Sequence, residues 1–303
     1  MTEGAGGGTV TREPLDPALA VRLAGVGGVV FDVDGCLILS SQPAGHDGTA
    51  LPGAVAAVEA IRASGRRVIA FTNASSRPPA QIAESLRELG FRFATEDVLT
   101  PSVVAAAVVR QRFGDAPILA FGGSGVLDVL VDAGLQMATA GSGAPVAAVV
   151  VGWDVAFDQP KLQAAAEALW AGAPLLVTSD APAFATAGRR SAGVAGFIAA
   201  GLARVGGKPY EVLGKPSQLA VTTVADRLGV PPERLLVVGD DLNLEVAMAH
   251  RAGGVGVLVT TGMHGRDDAR AAATERRPHL VVDALAELVE ALRAADAAAG
   301  GAR

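Results

Sequence analysis

The chain has 303 residues, of which 50% are hydrophobic and 18% are charged, so it can bury a substantial core in one large or two modest domains. Its formal net charge is −6 at pH 7, which argues against a nucleic-acid backbone as its partner. The single cysteine excludes an internal disulfide framework and fits a reducing compartment.

The N-terminal segment and the apolar runs predict a cytoplasmic protein. Residues 1–10 are rich in glycine and lack the basic and apolar regions of a signal peptide. Every apolar run is interrupted well before the roughly 20 residues that are needed to span a bilayer. We therefore expect a cytoplasmic location, with neither a membrane nor a nucleic acid as partner.

Strands and helices alternate along the chain. Apolar runs bounded by glycine, proline or charge predict strands at residues 29–32, 67–71, 97–99, 118–121, 146–151, 175–178, 235–238 and 255–259. Helical patterns are found at residues 16–23, 52–64, 78–89, 101–112, 124–132, 159–171, 194–204, after residue 216, at 243–250 and in a final segment that ends near residue 294. This alternation predicts an α/β fold, with a Rossmann-like, doubly wound parallel-sheet core and a smaller α/β domain inserted into it.

The second β/α series indicates where the insertion lies. The expected units are a flexible N-terminal arm (1–25), a core in two segments (26–114 and 191–303) and an inserted α/β domain (115–190). The glycine- and arginine-rich residues 185–193 predict a linker that returns to the core, and residues 295–303 are predicted to be disordered.

Asp32 and Asp34 stand at the end of the first buried strand. Side chains two residues apart on a strand point to the same face, so both carboxylates can reach one side of the strand's C-terminal end. In an open α/β sheet, ligands bind at that end. Because an unpaired buried charge is costly, two neighbouring carboxylates at this point indicate a functional site rather than a stabilising pair.

Three further motifs place polar side chains at strand or helix ends. The strand at residues 67–71 is followed by Thr72 and Asn73, and the strand at residues 235–238 leads through a glycine to Asp240 and Asp241. Lys215 precedes a predicted helix, within the segment Gly-Lys-Pro-Ser. Carboxylates, a hydroxyl, a lysine and a helix N-terminus together suit a phosphate group and a hard cation.

The order and the types of these four motifs resemble the haloacid-dehalogenase-like (HAD) phosphohydrolases. The resemblance extends over nearly the whole chain from residue 29 onward. The insertion is similar to the large α/β cap, the C2 type, of the branch that contains the NagD-type and p-nitrophenylphosphatase-like enzymes. Residues 72–77, 150–154 and 214–217 carry the sequence pattern of that branch.

This resemblance implies a Mg²⁺-dependent phosphatase with a divided catalytic role. Asp32 would attack phosphorus to form an aspartyl-phosphate, and Asp34 would protonate the leaving oxygen and then activate water. Asp34 would then need a raised pKa, so that its carboxyl is partly protonated near neutral pH. Mg²⁺ would be held by the carboxylate of Asp32, the backbone carbonyl of Asp34 and the carboxylate of Asp240.

The resemblance also implies how the substrate is held. Thr72 and Lys215 would bind the phosphoryl oxygens, and Asn73 would assist through its loop. A large cap that closes over the site leaves a confined cavity, which predicts a small phosphorylated metabolite rather than a phosphoprotein. The cap also offers a surface through which two copies could form a homodimer.

The chain departs from the family pattern at several positions. Ala74 stands where the branch has a second asparagine, and Leu244-Glu245 stands where relatives have Thr-Asp. Glu245 can still orient a metal-bound water or pair with Lys215. Asp180 lies in an altered cap loop, so the substrate of the relatives is not carried over. Asp241 has a second interpretation, as a cap of the following helix.

Other functions stay open at the level of the sequence. A phosphotransferase or mutase acting on sugar phosphates would use the same residues under a cap that excludes water. A catalytically weak protein that binds phosphorylated metabolites is suggested by the departures at Ala74, Leu244 and Glu245. Carbon–halogen hydrolysis is less favoured because it has no use for an acid at Asp34 or for Asp240. A phospho-receiver differs in motif order and is less than half as long.

Overall fold

The computed structural model describes residues 15–40, 47–186 and 189–301, with the backbone alone for residues 184–186, 189 and 190. Most of the predicted N-terminal arm, part of the predicted linker and the last two residues therefore lie outside the described residues. Across the described ranges, no helix combines the length and the apolar composition that a membrane crossing requires.

The described residues form fourteen strands and eleven α-helices. The strands are β1 (Gly28–Phe31), β2 (Ile38–Leu39), β3 (Thr49–Ala50), β4 (Arg67–Phe71), β5 (Val98–Leu99), β6 (Leu119–Phe121), β7 (Val149–Val151), β8 (Leu175–Val177), β9 (Ala183–Thr186), β10 (Arg189–Ala192), β11 (Tyr210–Val212), β12 (Leu235–Gly239), β13 (Val255–Val259) and β14 (Leu280–Val282). The helices are α1 (Pro17–Ala24), α2 (Ala54–Ala63), α3 (Pro79–Glu88), α4 (Pro101–Phe113), α5 (Ser124–Asp132), α6 (Gln159–Trp170), α7 (Val194–Gly206), α8 (Gln218–Leu228), α9 (Ala247–Ala252), α10 (Arg266–Ala271) and α11 (Leu285–Gly300).

A six-stranded parallel sheet forms the core of the molecule. Its strand order is β14-β13-β12-β1-β4-β5, and β1 lies at its centre between β12 and β4. Alternate residues of β1 face opposite layers: Val29 and Phe31 pack with α1, α2, α3 and α11, whereas Val30 packs with α4, α8 and α9. Helices on both faces of a parallel sheet define a doubly wound α/β core, as predicted.

A second, four-stranded parallel sheet has the order β11-β8-β7-β6. One face packs against α6 and α7, through residues such as Val149 and Ile198. The other face, with Val150 and Leu176, belongs to the same hydrophobic cluster as α4 and α8 of the core. The two sheets are therefore joined by continuous apolar packing.

The chain returns from the second sheet to the core later than the expected residue 191. Tyr210–Val212 pairs in parallel with β8 of the second sheet, and α7 packs against that sheet. Ala183–Thr186 and Arg189–Ala192 form an antiparallel hairpin where a linker was predicted. The strand that pairs with Tyr210–Val212 is distant in sequence, and the two hairpin strands have only a weak pattern of apolar residues. Local periodicity therefore reveals neither pairing.

Two other local predictions need correction. The last helix runs to Gly300 rather than ending near residue 294, because its alanines favour helix and Ala295 is buried against the core. The predicted helix at residues 243–250 is a π-helical turn over Leu242–Val246 followed by α9. A short strand, β14, extends the edge of the core sheet and was not predicted.

The stability of the core is expected to fall in mild acid because of His279. Its ring stacks on His250 at 4.7 Å, and its Nδ1 accepts a hydrogen bond from the Gly256 amide. Burial, followed by the charges of Arg22 and His250, lowers the pKa of His279 to about 4 from its ordinary 6.5. Between pH 4 and pH 6.5, the folded state therefore binds fewer protons than the unfolded state. The stability that the neutral His279 ring contributes is fully present above about pH 6.5 and is lost as the pH falls toward 4.

His279→Asn keeps an acceptor for the Gly256 amide but does not titrate. Between pH 7 and pH 5, we expect the free energy of unfolding of this variant to fall less than that of the wild type, by about 1 kcal/mol for a partly exposed group. Urea unfolding at the two pH values measures the difference. If the variant and the wild type lost equal free energy of unfolding, His279 would not contribute to the pH dependence of stability.

Candidate active site

The predicted motifs meet at the carboxyl edge of the core sheet. Asp32 follows β1, Thr72 follows β4 and Asp240 follows β12, and these three strands are neighbours in the sheet. They open into a cavity of about 110 Å³ between the core and the second sheet. Eight of the nine predicted site residues line it: Asp32, Asp34, Thr72, Asn73, Lys215, Asp240, Asp241 and Glu245.

Lys215 is the centre of this arrangement. Its side chain is only 1% exposed, and its ammonium contacts Asp32 Oδ1 at 2.5 Å, Glu245 Oε1 at 2.7 Å and the Phe71 carbonyl at 2.6 Å. An ammonium has three N–H donors, and each has an acceptor here. Burial acts to lower the pKa of Lys215, but Asp32 and then Glu245 raise it above its ordinary value. The lysine therefore remains charged.

The side-chain amide of Asn73 is engaged with the backbone of Lys215. The Lys215 amide donates to Asn73 Oδ1 at 2.8 Å, and Asn73 Nδ2 donates to the Lys215 carbonyl at 2.9 Å. A Cβ at Gly214 would lie 2.7 Å from Asn73 Oδ1, so only glycine leaves room for this approach. Asn73 thus fixes the position of the lysine; its predicted assistance to phosphate binding stays a prediction.

The turn after β1 directs the two carboxylates toward the cavity. Asp32 is buried, whereas Asp34 is partly exposed and accepts a hydrogen bond from Ser40 Oγ at 2.5 Å. Gly35 follows with φ of 88°, a left-handed conformation that favours glycine. Thr72 Oγ1, on the neighbouring strand end, accepts from the Ala74 amide at 3.0 Å.

The carboxylate of Asp240 lies between two glycines. A Cβ at Gly35 would come within 2.4 Å of Asp240 Oδ2, and a Cβ at Gly262 would come within 1.8 Å of it. The Met263 amide donates to the same oxygen at 2.7 Å. Burial, followed by the charge of Asp32, raises the pKa of Asp240 to about 7. Gly262 was not predicted as a site residue, because no local pattern connects it with Asp240. Gly35 stands out in the sequence because it follows Asp34 directly.

Glu245 makes the lysine contact that was one of its two expected roles. Its Oε1 contacts Lys215, and its Oε2 accepts from the Asp241 amide at 3.1 Å. A Cβ at Gly239 would lie 2.1 Å from Glu245 Cγ, so the absent side chain at Gly239 provides the room for this glutamate. Burial raises the pKa of Glu245 to about 8, with Lys215 opposing the shift and Asp32 adding to it.

The two remaining candidate residues have structural partners. Asp241 caps the π-helical turn by accepting from the Asn243 amide at 2.7 Å, which agrees with its second interpretation, although it also lines the cavity. Asp180 is absent from the cavity wall, where Ser179 and Ala181 lie instead. Burial, followed by the charge of Asp180 and a hydrogen bond to it, raises the pKa of Tyr210, which places Asp180 against this tyrosine.

The charge balance of the cavity suits a divalent cation. Among its described lining residues, five carboxylates face a single ammonium, that of Lys215. Burial is the main cause of the raised pKa values of Asp240 and Glu245, and the charges of neighbouring carboxylates add to both shifts. Within the described ranges, no three acidic, histidine or cysteine side chains form a metal-binding group. Carboxylate oxygens, together with backbone and water oxygens, are a donor set that Mg²⁺ accepts.

The comparisons with known proteins agree with this geometry. Residues 29–136 match the haloacid dehalogenase-like hydrolase family, and residues 212–288 match a HAD-hydrolase-like family. Chronophin of Homo sapiens is 33% identical to this chain, over 88% of the chain and 93% of that protein. The chain therefore belongs to the haloacid dehalogenase-like hydrolases.

Solved structures extend the comparison to the whole fold. A 4-nitrophenylphosphatase from Thermotoga maritima aligns with a TM-score of 0.79 at 27% identity, covering 89% of this chain and 99% of that one. A glycerol phosphate phosphatase from Mycobacterium tuberculosis, in complex with magnesium, aligns with a TM-score of 0.76 at 27% identity, covering 89% and 78%. The predicted family and α/β fold with a cap are thus confirmed.

Gly262→Ala should disable the site through a single contact. Because a Cβ at this position would meet Asp240 Oδ2 at 1.8 Å, the carboxylate must move from its place. We expect hydrolase activity to fall by roughly a hundredfold or more, with the chain still folded. Turnover and thermal unfolding, measured together, separate a displaced carboxylate from a loss of fold.

Gly265→Ala is the matched control, because its Cβ would meet nothing closer than Asp268 Oδ2 at 3.9 Å. This variant should retain nearly full activity. If both variants lost activity equally, the loop as a whole rather than the Asp240 contact would be responsible.

Proposed function

We propose that the protein is a Mg²⁺-dependent phosphatase that hydrolyses a small phosphomonoester through an aspartyl-phosphate on Asp32. The observation that carries the proposal is the buried ion pair of Asp32 with Lys215, in a cavity that also presents Asp34 and Asp240. Phosphatase relatives and a structural neighbour with magnesium support the assignment.

The first half of the reaction transfers the phosphoryl group to the protein. The carboxylate of Asp32 attacks phosphorus, the bond from phosphorus to the ester oxygen breaks, and Asp34 donates its proton to the departing alcohol. Thr72 lines the same cavity, and Lys215, whose three N–H donors have protein acceptors, acts on the transferring oxygens through its charge. The positive charge of Lys215 reduces the repulsion between a phosphate dianion and the attacking carboxylate.

The second half releases phosphate. Asp34, now ionised, takes a proton from a water molecule that attacks phosphorus, and the bond from phosphorus to the Asp32 oxygen breaks. The partial exposure of Asp34 and its hydrogen bond to Ser40 leave its carboxylate directed to the cavity from which water enters. Asp32 returns to its ion pair with Lys215.

Asp32, Asp240 and the backbone carbonyl of Asp34 would hold the magnesium ion. When bound, the cation neutralises charge on the phosphoryl oxygens and on the carboxylates around them. The glycines at 35 and 262 leave room for the Asp240 carboxylate, and the Met263 amide holds it by a hydrogen bond. Glu245 serves Lys215 instead, so its departure from the family pattern does not remove a charge partner of the lysine.

The wall of the cavity supports a small substrate. Away from the carboxylates, it is formed by small or apolar side chains from loops and from α7, among them Ala74, Trp153, Ala181 and Val194. A cavity of about 110 Å³ holds a metabolite far more readily than a folded phosphoprotein. The particular metabolite depends on this wall, and we propose only its class.

Asp32→Asn should abolish turnover, because the amide is a poor nucleophile and loses the charge that pairs with Lys215. With 4-nitrophenyl phosphate and Mg²⁺, we expect phosphate release to fall by about a thousandfold or more. A chelator should abolish the activity of the wild type, and added Mg²⁺ should restore it.

Asp241→Asn is the control for this experiment, since that residue caps a helical turn and asparagine caps equally well. It should retain activity within about tenfold. Substantial residual turnover in Asp32→Asn would contradict the assignment of the nucleophile, and turnover in the presence of excess chelator would contradict the metal.

We also propose that two copies associate through the cap. The outer helix α7 of the second sheet exposes 82% of Phe197 and 39% of Val205, which an interface would cover. Phe197→Asp should then convert a dimer to a monomer in sedimentation equilibrium, whereas Val21→Asp, on the core helix α1, should not. A monomeric wild type would refute this proposal.

A further inference from the structure

We propose that Ser75 is a positioning residue, which holds Trp153 at the cavity wall opposite the core and thereby sets the site's affinity for the leaving group. The inference rests on the proposed phosphatase function. It concerns a hydrogen bond between the phosphate-binding loop of the core and a residue of the cap, rather than any group that takes part in the chemistry.

The contact is buried and specific. Ser75 is 3% exposed, and its Oγ accepts a hydrogen bond from the Trp153 amide at 3.2 Å. The same oxygen lies 3.1 Å from Thr178 Oγ1, and either hydroxyl can be the donor. The Trp153 carbonyl accepts from the Gly123 amide at 2.9 Å. The peptide groups on both sides of Trp153 are thus held, one by the core and one by the cap.

The surrounding backbone leaves this loop little freedom. A Cβ at Gly125, in the first turn of α5, would lie 2.5 Å from the Ser75 carbonyl and 2.4 Å from the Arg77 amide. The Gly214 amide, adjacent to Lys215, donates to the Thr178 carbonyl at 2.9 Å. The cap therefore touches the core both at the Ser75 loop and at the lysine segment.

This placement links two ends of the same cavity. Ser75 is three residues from Thr72 and two from Asn73, and both of those residues belong to the phosphoryl end. Trp153 lines the wall that the cap contributes. The short segment from Thr72 to Ser75 therefore sets the distance between the phosphoryl group and the indole. A substrate whose leaving group reaches the indole should respond to Ser75, whereas a substrate with a very small leaving group should not.

Two variants separate this role from general packing. Ser75→Ala removes the acceptor of the Trp153 amide, whereas Thr178→Val removes only the neighbouring hydroxyl and leaves the Trp153 contact intact. Both positions are almost fully buried, so the two changes disturb the same region. The proposal predicts that only the first variant alters Trp153.

Fluorescence gives a readout that needs no turnover. The chain has two tryptophans, and Trp170→Phe leaves Trp153 as the single indole. In that background, Ser75→Ala should raise the acrylamide quenching constant about twofold, and Thr178→Val should leave it unchanged. If Ser75→Ala cannot be purified folded, Ser75→Cys, which is close in size and a weaker acceptor, should shift quenching in the same direction.

Kinetics then test the leaving group. For 4-nitrophenyl phosphate with Mg²⁺, Ser75→Ala should raise KM about fivefold with kcat nearly unchanged, and for acetyl phosphate both constants should match the wild type. In a Trp153→Ala background, Ser75→Ala should no longer change KM, because the indole on which it acts is gone.

Unchanged quenching in Ser75→Ala would overturn the proposal, as would an equal rise in KM for both substrates or an equal effect of Thr178→Val. If the wild type hydrolysed neither substrate, the proposed phosphatase function would fail, while the quenching result would still decide whether Ser75 holds Trp153.

Discussion

The ammonium of Lys215 is the group on which the site depends. Taking a charge out of water is costly, and removing one partner of a buried ion pair leaves the other uncompensated. Here Asp32, Glu245 and the Phe71 carbonyl meet the three N–H donors, so the charge is fully satisfied. Several other features follow from that requirement. The amide of Asn73 holds the lysine backbone, and the missing side chain at Gly239 admits the longer acid. The lysine thereby links the ends of β1 and β4 with the turn that follows β12.

The second constraint is the excess of carboxylates around that single ammonium. Burial raises the pKa of Asp240 and that of Glu245, and the charges of neighbouring carboxylates add to both shifts. In the proposed function, a bound Mg²⁺ ion would neutralise part of this negative charge. The excess of negative charge would then favour binding of the cation, and the fold holds the carboxylates in place before it binds.

The cap is part of the same structure rather than an appended lid. One hydrophobic cluster runs from the core helices α4 and α8 into the second sheet. Glycines at 125 and 214 allow the backbones of core and cap to approach closely, and Ser75 connects them by a hydrogen bond. This packing encloses the cavity on its apolar side, and in the proposed function it would limit water around the phosphoryl group.

The sequence alone determined the strands with continuous apolar runs and the polar residues directly after them, because both signals are local. Asp32, Asp34, Thr72 and Asp240 were found in this way, Lys215 was found at the start of a predicted helix, and the order of these motifs indicated the family. Only the tertiary structure decided that Tyr210–Val212 joins the second sheet, that Asn73 binds the backbone of Lys215 and that Asp180 lies beside Tyr210 rather than in the cavity. It also decided which glycines surround Asp240 and Glu245. These features depend on the distance between segments far apart in the chain, and a local pattern carries no information about that distance.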